Sequence, residues 1–175
     1  MSTVQFGKLN VQHSQAMPVA PWLSLVASGR VAFGRAFSGA EVLRIDERYF
    51  IGGATTVRGY SENSLGPTDD RDVVLGGDTA IIFNLEGRVP IWGALAGAAF
   101  LDVGGNFLTQ CDAACERAHG VFNNNFNWTN FRKGVGPGLR YMTPVGPISL
   151  DYGFKIDRRS GESIGEVHFS ISGTF

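Results

Sequence analysis

The stretch from Ile148 to Asp157, ISLDYGFKID, puts an apolar or aromatic side chain at every second position. Ile148, Leu150, Tyr152, Phe154 and Ile156 fall on one side. Ser149, Asp151, Gly153, Lys155 and Asp157 fall on the other. Successive side chains of a β-strand point to opposite faces, so a period of two reads as a strand with one apolar and one polar surface.

The same period extends in both directions. In Thr79 to Ile91, the set Ile81, Phe83, Leu85, Val89 and Ile91 alternates with Ile82, Asn84, Glu86 and Arg88. After Trp92-Gly93, Leu95, Ala99, Leu101 and Val103 alternate with Ala94, Ala96, Ala98, Phe100 and Asp102. Val135, Leu139 and Tyr141 alternate with Gly134, Gly136, Gly138 and Arg140, and Val167, Phe169, Ile171 and Phe175 with Glu166, His168, Ser170, Ser172 and Thr174. Ser24 to Arg35 supplies a further strand, with Leu23, Leu25, Val31 and Phe33 on one side, and an incomplete partner lies near Val4 to Lys8. The reading is about six or seven antiparallel strands, with no helical period and no internal repeat. Runs of about ten residues suit strands that cross a membrane at a tilt. Pro90 to Gly93 and Thr143 to Pro147 are tight turns, whereas Ser38 to Gly77, Leu108 to Phe131 and Arg158 to Gly165 are long and polar. Short turns at one end and long loops at the other is the asymmetry of an outer-membrane barrel.

Composition agrees with that class and excludes others. The chain is 43% hydrophobic and 18% charged, with 24 glycines and a net charge of −1. No run of about 18 apolar residues offers a spanning helix. The first residues, MSTVQFGKLN, lack the basic and apolar regions of a signal peptide. Without Lys/Arg clusters there is no footprint for nucleic acid. Cys111 and Cys115 suit a local disulfide in an oxidising compartment. Free thiols are the alternative, as is a metal site with His119, although the spacing matches no common zinc pattern.

Period two would also fit a soluble β-sandwich. Against it, the polar face carries Glu86, Arg88, Asp102, Arg140, Asp151, Lys155, Glu166 and His168, a charge density suited to a wet lumen. The apolar face closes with Phe169, Ile171 and the terminal Phe175, the aromatic ending common in bacterial outer-membrane proteins. His168, Asp151 and Asp157 are accompanied by no nucleophile motif, so no enzyme activity and no cofactor are expected.

One segment fits neither strand nor helix. Glu47 to Pro67, ERYFIGGATTVRGYSENSLGP, sets one arginine among glycines and aromatics, with Val57-Arg58-Gly59-Tyr60 at its centre. It resembles the signature loop of the BamA/TamA superfamily (bacterial surface antigen type), outer-membrane β-barrels that insert or export other proteins. NLEGRVPIWG, AAFLDVGGNF, GVGPGLRYMTPVGPISLDYGFKI and HFSISGTF follow in the family order, so the likeness runs from about Trp22 to Phe175.

The resemblance implies the C-terminal part of a sixteen-stranded barrel with the loop folded back into the lumen. Arg58 matches the loop-tip arginine, and Glu86, Phe100 and Asp102 match its anchoring wall. Parity independently turns those three inward, and a guanidinium can bind carboxylates with its planar fork. Gly52, Gly53 and Gly59 suit a tightly turning loop, and Gly134, Gly136 and Gly138 clear space on the wall. The expectation is one partial barrel domain over residues 1–175, with signal peptide, POTRA domains and the N-terminal barrel strands lying outside it. It would serve assembly or translocation in the bacterial outer membrane, supplying the loop and the closing strand. Its partners would be the bilayer, unfolded outer-membrane clients and the missing barrel half. A two-partner-secretion-type exporter or channel, or the barrel anchor of a fused lipase-type protein, are the alternative readings.

Overall fold

The computed structural model describes residues 5–37, 42–111, 115–117, 120–121, 124, 126–144 and 146–171. Val4, His119 and Phe175 therefore lie outside the described residues. Seven strands follow in chain order: β1 (Gln5–Ala20), β2 (Leu23–Phe37), β3 (Thr79–Trp92), β4 (Leu95–Phe107), β5 (Arg132–Thr143), β6 (Gly146–Lys155) and β7 (Gly165–Ile171). Each pairs antiparallel with its sequence neighbour in a single sheet ordered β1 to β7. Among the described residues β1 and β7 are its two edges.

Register keeps the two side-chain sets on separate faces. Glu86 stands opposite Phe100, Asp102 opposite Gly134, Gly138 opposite Asp151, and Asp151 opposite His168. A slip of one residue would turn each charged set to the other side. Phe83, Leu101, Val135, Leu150, Phe154, Val167 and Phe169 all point outward and are exposed, whereas Glu86, Asp102, Arg140, Asp151 and His168 point inward and are buried. That polarity inverts the pattern of a soluble sandwich and suits hydrocarbon outside with a polar interior.

On β3 the outward apolar set runs from Ile81 to Ile91. Ten steps of about 3.3 Å, tilted by about 40°, give a band roughly 25 Å tall, the height of an outer-membrane apolar belt. Exposed Trp22, Trp92 and Tyr141 rim the short-turn end, and Phe126 and Trp128 the long-loop end. Two such aromatic girdles mark the two membrane–water interfaces.

β1 is much longer than the Val4–Lys8 segment its sequence suggested. It pairs with β2 from Gln5 opposite Phe37 to Ala20 opposite Leu23. Its outward face carries Leu9, Val11, Met17 and Val19, but His13 and Gln15 interrupt that set, while Asn10, Gln12 and Ser14 lie on the other face. Pairing is carried by the backbone ladder and by side-chain bonds such as Arg30 Nε donating to Gln12 at 3.1 Å.

The long β2–β3 connection folds back over the inner face. A 3-10 turn at Ile45–Glu47 opens it, and isolated bridges join Tyr49 to Gly77, Ile51 to Leu65 and Thr68 to Val74. Ile51, Val57, Tyr60 and Leu65 pack with Ala32, Ala80 and Ile82 into a buried cluster. Those last three are inward positions of β2 and β3. Ile82 breaks the polar pattern of its face because the loop sits on it.

Candidate functional site

The loop tip, Val57-Arg58-Gly59-Tyr60, is buried against the inner wall. Arg58 grips Asp102 with two prongs, Nε donating at 2.7 Å and Nη2 at 2.8 Å, and its backbone N–H donates to the same carboxylate at 3.0 Å. Asn84 adds a fourth donor to Asp102 at 2.9 Å. Nη1 of Arg58 reaches Glu86 at 2.6 Å and, more loosely, Asp151 at 3.4 Å. The reach is possible because Glu86 stands opposite Phe100, which makes it the diagonal neighbour of Asp102 across the β3–β4 ladder. Between the two carboxylates, the Phe100 ring lies 3.6 Å beneath the guanidinium, a desolvated cation–π contact.

A second arginine closes the network. Arg140 donates from Nε to Glu86 at 3.0 Å and from Nη1 to Asp151 at 2.7 Å. Arg58, Glu86, Arg140 and Asp151 thus form a ring of ion pairs, with Asp102 bidentate on Arg58. The half-exposed Arg88 caps Glu86 at 2.7 Å. Three carboxylates meet three guanidinia, so this buried assembly carries no uncompensated charge. Burial alone would weaken the hold of Arg58 on its proton, but the bonds to Asp102 and Glu86 outweigh it and raise its pKa above the ordinary value. Such a site holds rather than reacts.

The tip backbone can approach the wall because the wall lacks side chains there. A Cβ on Gly134 would lie 1.9 Å from the Arg58 carbonyl oxygen, and one on Gly153 would lie 2.2 Å from the Gly59 nitrogen. Gly59 itself has φ +95°, a conformation that favours glycine. Gly136 clears space for the Tyr152 carbonyl and the Phe100 ring, and Gly138 for the Asp151 carboxylate. Beyond the arginine, the Gly59 N–H donates to His168 Nε2 at 2.8 Å, the Tyr60 hydroxyl to Asp157 at 2.6 Å, and Ser61 Oγ to Glu166 at 2.7 Å. Burial, seconded by the Asp157 bond, raises the Tyr60 pKa.

The structure thus brings Arg58, Glu86, Phe100 and Asp102 together. Phe169 and Ile171 lie on the outer face of β7, well away from the loop, and are exposed. Cys111 and Cys115 are disulfide-bonded, in the β4–β5 connection and apart from this site. Sequence reasoning turned Arg140, Asp151 and His168 inward without joining them to Arg58. Their parity was the available signal. Gly153 and Asn84 were not assigned to the site at all.

The profile of the Omp85 superfamily domain matches residues 1–175. The chain belongs to the Omp85 superfamily. Over 86% of its length it is 32% identical to the outer membrane protein assembly factor BamA of Nitratidesulfovibrio vulgaris, of which the match covers 19%. It is 25% identical over 90% of its length to outer envelope protein 80, chloroplastic, of Arabidopsis thaliana, covering 21% of that protein. BamA from Haemophilus ducreyi lacking POTRA domains 1–3 shares the fold, with a TM-score of 0.79 at 21% identity over 98% of this chain and 35% of that one. This Omp85 chain therefore spans about a fifth of the length of these sequence relatives.

Proposed function

We propose that residues 1–175 form one partial barrel domain, the C-terminal barrel region of an outer-membrane assembly or translocation factor. It lies in the bacterial outer membrane, against the lipid bilayer, and acts on unfolded outer-membrane clients. The observation that carries this reading is the anchored loop: Arg58, delivered by a long connection into the sheet's interior, is held by carboxylates from β3, β4 and β6. The sheet leaves β1 and β7 as edges, and an open edge in hydrocarbon carries unsatisfied backbone groups. Further strands complete the barrel, and β7 is its closing strand, able to pair with the first strand or with an incoming client by β-augmentation. Such work needs no cofactor and no bond-making chemistry. The relatives named as assembly factors support the same reading.

The test is Arg58→Ala in the natural protein, with heat-modifiable mobility as the measure of folding and assembly of a client barrel in proteoliposomes as the measure of function. Both should fall, and Glu86→Gln combined with Asp102→Asn should reproduce the defect. Wild-type folding and client assembly in Arg58→Ala would overturn the proposal.

A further inference from the structure

At the long-loop end of the outer face, β3 and β4 are not a bare surface. Residues 126–131, just before β5, lie back against the outward side of the two strands. Their rings stack there: Phe107 and Phe126 have centroids 4.8 Å apart, Phe107 and Phe131 5.3 Å, and Trp128 and Phe131 5.3 Å. Phe107 is an outward residue that this covering buries. Gly105 makes the close approach possible, since a Cβ there would lie 2.7 Å from the Phe107 ring and 3.0 Å from that of Phe131. The segment's own turn is fixed by Asn127, whose Oδ1 accepts the Thr129 N–H at 3.0 Å and the Asn130 N–H at 3.2 Å.

Between this aromatic hook and the strands lies a slot of about 420 Å³. Ile81, Phe83 and Val103 form its strand wall, and Phe126, Trp128 and Phe131 the opposite one. Its volume is that of a small-ligand site, roughly 300–1,000 Å³. Among the described residues Asn127 is its only polar lining residue and no Lys or Arg lines it; Lys133, opposite Val103, lies just outside it. The part of a ligand inside the slot is held by apolar contact, with no recognition of a phosphate or a sugar there. The slot is also continuous with the apolar belt, whose outward neighbours Leu101 and Val135 are exposed, and it sits just inside the aromatic girdle where acyl chains begin.

We propose that this slot binds one acyl chain of a bilayer lipid, fixing a single lipid beside the β3–β4 strands. The hook makes it a site rather than part of the general lipid annulus. The inference rests on the outward face meeting lipid, not on any client activity.

The natural protein would be reconstituted in dipalmitoyl phosphatidylethanolamine or dipalmitoyl phosphatidylglycerol vesicles, exchanged into detergent and weighed by native mass spectrometry. One retained lipid per chain is expected, equally from either headgroup. Val103→Trp, which fills the slot, should lower the retained fraction by about tenfold, the loss of contact with roughly two methylenes. Val167→Trp, on the outward face of β7 and three strands from β4, should change nothing. Should Val103→Trp fail to fold, Trp128→Ser removes one wall without touching the sheet and should lose the lipid too. No retained lipid in the unaltered protein, equal loss in Val167→Trp, or retention that follows the headgroup would each overturn the proposal.

Discussion

Arg58 shows why one residue type is required at the loop tip. Its fork serves Asp102 with two nitrogens and Glu86 with the third. Replacing it with alanine leaves buried carboxylates short of a cation and should cost about 3–5 kcal/mol. Arg58→Lys keeps the charge but not the planar fork, so it should recover well under half of that loss, as read from urea unfolding in detergent micelles. Asp78 is a second residue of this kind. Fully buried at the entry to β3, it accepts the N–H groups of Thr109 at 2.9 Å and Gln110 at 2.8 Å and the Thr109 hydroxyl at 2.7 Å. Asp78→Ala strands two backbone amides and should destabilise the protein by about 2–3 kcal/mol in the same assay. Asp78 carries no periodic or motif signal, and only the meeting of two distant chain segments shows what it does.

Among the elements, the strands most legible in sequence are β3 to β7, where most inward positions are polar or glycine and most outward ones apolar, with exceptions such as inward Ile82 and Phe100 and outward Lys133. β1 was legible only at its start, because His13 and Gln15 break its apolar set into two short pieces, Leu9 with Val11 and Met17 with Val19, which weakens the contrast that periodicity detects. The inserted loop has no period at all. Its glycines signalled tight turning, but the trough it occupies is made by Gly134 and Gly153, on strands that are not adjacent to it in sequence. Gly153→Val should therefore lift the tip off the wall while leaving the outward face of β6 unchanged. Arg58, shielded in the native protein, should then be cut by trypsin at least about tenfold faster, the effect of an opening equilibrium shifted by about 1.4 kcal/mol. Unaltered proteolysis would show that the tip is held some other way.

At the scale of the whole molecule, the sheet is inside out, and that polarity can be tested without reference to the loop. Leu101 is outward and near the middle of the belt, paired with Leu85. Leu101→Arg should destabilise the protein in phospholipid vesicles by about 2–4 kcal/mol, as for a cation at the bilayer midplane, with a much smaller penalty in detergent micelles. A soluble sandwich would give the same penalty in both. Taken alone, the sequence determined the strand period, which side of each strand is charged, the turn-and-loop asymmetry and the inward facing of Glu86, Phe100 and Asp102. These are local properties, fixed by alternation along one strand. Only the tertiary structure decided that Arg140 and Asp151 close a ring of ion pairs with Arg58, that His168 and Glu166 of β7 also hold the loop, and that residues 126–131 fold over the outer face. Each of these depends on the register between strands and on where a long connection comes to rest. No periodicity within a single segment encodes either one.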